Sequence, residues 1–259
     1  MKFKLLLILF MLFGVTSELF SQSKNSSFYE IKIYHFENAA QESQLDQYLK
    51  DALLPALKQV GIKTVGVFKP IGNDTLADKR IYVLTPFKSA QQFINLPEEL
   101  QKDQKFKAAG KIYLDAKHDQ PPYKRIESIF LRAFSGMPTF KVPSLKNGPE
   151  KRVYELRSYE SPTEQIFKNK VHMFNEGGEI NLFDRLGFNA VFYGSVISGS
   201  HMPNLMYMVT FEDMASRDQH WKAFGSDAEW KKLSAMDKYQ NNVSKIDALF
   251  LRPTDYSGM

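Results

Sequence analysis

The sequence predicts an α+β fold made of two tandem β-α-β-β-α-β units, and three features carry that expectation. Segments recur in one order, the hydrophobic period switches between strand and helix within each copy, and a turn-rich stretch separates the copies. The recurrence is direct. Tyr29-Glu30-Ile31-Lys32-Ile33-Tyr34 returns as Tyr154-Glu155-Leu156-Arg157-Ser158-Tyr159, and Tyr82-Val83-Leu84-Thr85 returns as Tyr207-Met208-Val209-Thr210. Ile126 to Arg132 returns, with substitutions, as Ile246 to Arg252. The offset stays nearly constant, which chance similarity does not produce.

Each element has a local cause. The opening strands, about 29–34 and 154–159, have the aromatic and branched content that suits a pleated surface. A helix start follows in each copy. Ser161-Pro162-Thr163-Glu164 reads as a capping box with proline at the first helical position, and Asn38 with Gln41 is the weaker counterpart. Leu45, Leu49, Leu53, Leu57 and Val60 then recur at helical spacing, and Gly61 suits the helix end. Pro55 should kink that helix. Two strands come next as a hairpin, about 64–69 with 80–85 and 190–196 with 205–211. A second helical region follows, opened by Asp213 in the second copy. A strand ending in Leu-Arg closes each copy. Gly136, Pro138, Pro143, Gly148 and Pro149 mark a linker over 134–151, so the units span 28–133 and 152–257.

This order is the split βαβ arrangement of the ferredoxin-like fold, with both helical regions on one face of a four-stranded sheet. The other face needs a cover. Two units in one chain can supply it by packing sheet to sheet as an intrachain α/β barrel, and side-by-side packing is the alternative.

Composition narrows the function. Of 259 residues, 43% are hydrophobic and 24% charged, as in ordinary globular proteins. The net charge of +5 is spread out, with no basic cluster of the kind nucleic acid requires. Lys2 and Lys4, the apolar run Leu5 to Val15 and the small residue Ser21 have the layout of a signal peptide over 1–21. The expectation is an exported protein, periplasmic or secreted, without a membrane span. The apolar run falls short of the roughly 20 residues a bilayer needs. With no cysteine, disulfides and thiolate chemistry are excluded. The histidines form no H-x-x-x-H or H-x-E pattern, so neither a metal site nor a cofactor is expected.

The second copy resembles the NIPSNAP family, a branch of the dimeric α/β barrel superfamily. The resemblance rests on Val153 to Tyr159, Phe183-Asp184-Arg185-Leu186-Gly187-Phe188, Met202 to Asp218, Trp221 with Phe224, Asp227 with Trp230, and Phe250 to Ser257. The first copy is diverged: it keeps the Tyr-Glu-x-Lys strand and the Phe-Leu-Arg ending but lacks the Asp-Met-Ala-x-Arg helix start and the tryptophans. The resemblance implies the fold and the pairing of units. The wider superfamily holds cofactor-independent monooxygenases, isomerases and haem proteins, and a shared architecture does not transfer their chemistry.

Candidate site residues come from the opening strands, where side chains alternate faces. Glu155, Arg157 and Tyr159 share one side, as do Glu30, Lys32 and Tyr34. Placing Leu156 against the helices turns both polar rows into the enclosed interior, where charges must pair or change protonation. His172 joins them as a histidine near that interior. Three readings follow: a non-catalytic binding protein with a small, largely apolar ligand between the sheets, a cofactor-independent oxygenase or isomerase with Glu155 or His172 as base and Arg157 steadying an oxyanion, and a structural module that docks a protein partner. A monomer or a homodimer is compatible with each.

Overall fold

A computed structural model describes residues 27–259. The leader expected over 1–21 lies outside the described residues. Each copy forms a four-stranded antiparallel sheet. In the first, β1 (Phe28–Phe36) lies between β3 (Lys79–Phe87) and β4 (Arg125–Ala133), with β2 (Gly66–Pro70) beyond β3. In the second, β5 (Val153–Glu160) lies between β7 (Asn204–Phe211) and β8 (Lys245–Pro253), with β6 (Asn189–Ser198) beyond β7. The edges then join: β2 pairs with β8, β4 pairs with β6, and the eight strands close into one antiparallel barrel. Closure removes every free edge. The pairings obey an approximate two-fold relation, since β2 and β6 are counterparts, as are β4 and β8.

Helices cover the outside. The first copy carries α1 (Ala39–Gln47), a π-helical turn over Tyr48–Leu53, α2 (Leu54–Gln59), α3 (Ala90–Lys102), α4 (Gln104–Ala109) and α5 (Lys111–Leu114). The second carries α6 (Glu164–Asn175), α7 (Glu179–Arg185), α8 (Met214–Ser226) and α9 (Ala228–Ser234). Pro55 does interrupt helical regularity: the widened turn ends just before it, where a regular ladder would need the N–H that proline lacks. Asn38 and Asp213 cap their helices through Gln41 N–H and Ser216 N–H. The capping box is displaced. Thr163 caps α6, while the Ser161 hydroxyl donates 2.8 Å to the Asn242 carbonyl. Residues 134–151 run back along the barrel, with Lys141 N–H donating to the Val191 carbonyl and Phe134 N–H to that of Tyr193.

The interior contains Tyr29, Ile31 and Ile33 of β1, Tyr154 and Leu156 of β5, and their neighbours on β3, β4, β7 and β8. One end is plugged by two related aromatic pairs, Tyr29 with Phe192 at 5.1 Å and Tyr154 with Phe68 at 4.9 Å between ring centres. Separate apolar layers lie between each sheet and its helices. Every central strand is therefore buried on both faces.

Candidate functional site

The barrel is open at the end away from the aromatic plugs. Inward residues there shift from apolar to polar along several strands at once. On β1, Ile33 gives way to His35, and on β5, Leu156 gives way to Ser158. On β7, Met206 is preceded by Asn204, and on β8, Leu249 is preceded by Asp247. With His35 just outside its lining, these residues surround a cavity of about 400 Å³. Ile33, Tyr82, Ile129, Leu156, Met206 and Leu249 form its walls, while Arg80, Glu127, Ser158, His201, Asn204 and Asp247 form its rim. Both copies contribute.

Hydrogen bonds hold the rim in place. The Asn204 amide donates 2.9 Å to the Ser158 hydroxyl, and Arg80 Nε donates 2.7 Å to Asp78. Behind Glu127, His35 is held between two carboxylates, Asp78 at 2.8 Å and Glu127 at 2.9 Å. An apolar pocket with a few convergent polar groups is the usual form of a small-molecule site.

The row Glu155, Arg157 and Tyr159 does not face this cavity. It faces the helices, and Tyr154 and Leu156 face the barrel, so the expected orientation is reversed. Glu155 is fully buried and receives Arg217 Nε and Trp221 Nε1, each at 2.8 Å, together with Arg157. Burial raises the Glu155 carboxyl pKa, but the donors from Arg217, Trp221 and Arg157 outweigh it and hold the group below its ordinary value. Arg157 Nε reaches the Tyr159 hydroxyl at 3.1 Å, and that hydroxyl pairs with the Tyr207 hydroxyl at 2.8 Å. Arg217 therefore serves Glu155 and Asp218, while Asp213 caps α8. The reversal has a physical reason: with both faces buried, Leu156 suits either side, and the charged row survives under helices because α8 supplies its partners.

Residues 152–258 match the NIPSNAP family. They form a NIPSNAP domain. Solved structures share the architecture of the longer chain. A candidate monooxygenase from Lactobacillus acidophilus is 10% identical, covering 88% of this chain and 94% of its own, with a TM-score of 0.57. An anthrone oxidase-like protein is 9% identical over 89% of this chain and 92% of its own, with a TM-score of 0.50. A NIPSNAP family protein of unknown function from Agrobacterium tumefaciens is 19% identical over 43% of this chain and 96% of its own, with a TM-score of 0.37. No curated protein matches the chain. The closed barrel is the dimeric α/β barrel fold, formed here by the NIPSNAP domain and the diverged copy before it.

Within the NIPSNAP domain, His172 lies on α6, remote from the barrel cavity. Its Nδ1 is 2.8 Å from the Tyr239 hydroxyl and its Nε2 is 3.2 Å from Lys238 Nζ. In the diverged copy, Glu30, Lys32 and Tyr34 also face helices, again the reverse of the expectation. Glu30 accepts from the Ser128 hydroxyl at 2.7 Å and lies 3.5 Å from Lys32 Nζ. Among the described residues, no group of three or more His, Asp or Glu could hold a metal, and no helix is long and apolar enough to cross a membrane. The cavity residues were not legible in the sequence. They come from strands far apart in the chain, and only the period-two alternation within each strand hinted at which residues share a face.

Proposed function

We propose that this chain is an exported binding protein that holds a small, largely apolar molecule in the open end of its barrel. The cavity of about 400 Å³, walled by both copies, carries this reading. Its apolar depth suits a hydrocarbon or aromatic body, and its rim of amide, hydroxyl and charged groups suits one polar substituent. A docking role draws less support, because the exposed apolar side chains Ile94, Ile112 and Ile246 lie on three different elements rather than along one face. The bases foreseen for a catalytic role do not reach the cavity: Glu155 is enclosed by its three donors, and His172 is bound to Tyr239. His35, behind Glu127 of the rim, has both ring nitrogens turned to carboxylates and is equally unavailable as a base.

Filling the cavity tests the proposal. Titration with 1-naphthol, an aromatic probe with one hydroxyl, should show saturable binding to the wild type. Leu156→Trp and, as a milder alternative, Met206→Phe should each weaken it by about tenfold or more, the loss of roughly 1.4 kcal/mol. Equal affinity in folded wild type and both variants would remove the cavity as the site.

A further inference from the structure

The two copies differ most at the place where Glu155 is capped. In the NIPSNAP domain, Trp221 and Arg217 on α8 both reach that carboxylate, and Tyr207 on β7 fills the space beside Arg157. Aligning the helix caps, Ser89 with Asp213, sets Phe93 at the place of Arg217 and Pro97 at the place of Trp221. Strand pairing corrects the sequence match of Tyr82 with Tyr207 by one residue: Lys32 pairs with Val83 as Arg157 pairs with Tyr207, so Val83 stands at the place of Tyr207 while Tyr82 faces the barrel. Phe93 turns away to stack on Phe130 at 4.2 Å between ring centres. The diverged copy therefore keeps the buried carboxylate, Glu30 at 4% exposure, and lacks the side chains that cover its counterpart.

A second cavity, about 200 Å³, opens at that position between the first sheet and its helices. Glu30 and Lys32 stand at its polar end, and Val83, Leu57, Leu100 and Phe106 line its apolar part. Glu30 Oε1 accepts from the Ser128 hydroxyl and lies 3.5 Å from the Lys32 ammonium, while among the described residues no hydrogen-bond donor reaches Oε2. An apolar cavity of about 150 Å³ already accommodates benzene, so this one has room for a larger ring.

We propose that this cavity binds a flat apolar molecule bearing one neutral N–H or O–H donor, of the indole or phenol class, which donates to Glu30. The molecule replaces what the copy has lost: the indole of Trp221 occupies the corresponding place in the NIPSNAP domain and donates to Glu155 at 2.8 Å. A neutral donor suits the site better than an ammonium, because Lys32 already balances the Glu30 charge. A ligand that desolvates Glu30 Oε2 without donating to it pays for the lost hydration, so the N–H supplies selectivity as well as affinity.

Indole and benzothiophene, nearly the same shape but one without an N–H, test the assignment on the intact chain by NMR titration. Indole should bind saturably at millimolar concentration, shifting Val83 and Leu100 signals, with benzothiophene weaker by a factor of about ten. Glu30→Leu should bring the two probes within about twofold of each other, and Val83→Phe should abolish indole binding. If Val83→Phe does not fold, the probe comparison in wild type and Glu30→Leu decides alone. Absence of saturable indole binding, equal binding of both probes to wild type, or shifts confined to Ile33 and Leu156 would overturn the proposal. The last result would place indole in the barrel cavity, and loss of 1-naphthol binding there would leave this second site untouched.

Discussion

Replacing Glu155 with alanine is expected to lower the unfolding free energy by about 3–5 kcal/mol, measured by chemical denaturation near neutral pH. The size follows from what is left behind. Arg157 and Arg217 lose their shared counter-charge beneath α8, and the indole N–H of Trp221 loses its acceptor. Truncating one member of a buried charged network costs far more than the network contributes over an apolar replacement. Glu30→Ala offers the contrast: its partners are one hydroxyl and the partly exposed Lys32, so a loss of about 1–2 kcal/mol is expected. The pH dependence carries a definite sign. Because the folded Glu155 pKa lies below its unfolded value, its contribution is complete above about pH 4.3, the ordinary glutamate value. It fades as pH falls below that point through the lowered folded value. The gap between wild type and Glu155→Gln should therefore narrow on acidification.

Lys170 is the second position where a large effect is expected. Its ammonium lies 2.8 Å from Glu179 Oε2 and 4.7 Å from the centre of the Phe174 ring, and both charged side chains are almost wholly buried. Lys170→Met should cost about 3–5 kcal/mol at neutral pH by leaving Glu179 buried without its cation. Burial already pushes the Glu179 carboxyl above its ordinary range against the pull of Lys170 and Arg157. An acid with a raised folded pKa destabilises as pH climbs from its unfolded value through the folded one, so the variant should recover stability on acidification. Lys170→Met combined with Glu179→Leu should recover most of the loss at every pH, because the paired replacement leaves no orphaned charge. Denaturation curves of the three proteins at pH 5 and pH 8 check both the sign and the recovery.

These two networks show which parts of the molecule the sequence made legible. The tandem units were readable because strand pairing needs the same pattern twice: Tyr29 to Tyr34 and Tyr154 to Tyr159 become the equivalent strands β1 and β5. A barrel is one of the ways to cover the sheet faces those units leave open. Orientation was another matter. Alternation marks inside from outside only where one face meets water, and β5 is covered by the barrel core on one side and by α8 on the other. Leu156 could have faced either layer, and nothing local to Glu155 announces that Arg217 and Trp221 will cap it. The partnership of Lys170 with Glu179 was equally hidden, since it depends on α7 folding back against α6. Both cavities depend on size differences between side chains from distant strands, such as Val83 against Tyr207, which periodicity does not register.

The binding role is tested most directly by native mass spectrometry of the protein purified from its own source without refolding, beside Leu156→Trp prepared in the same way. The expected spectrum shows wild type carrying a retained small molecule that is absent from the folded variant. Clean apo masses for both proteins, or the same adduct on both, would contradict a ligand held in the open end of the barrel.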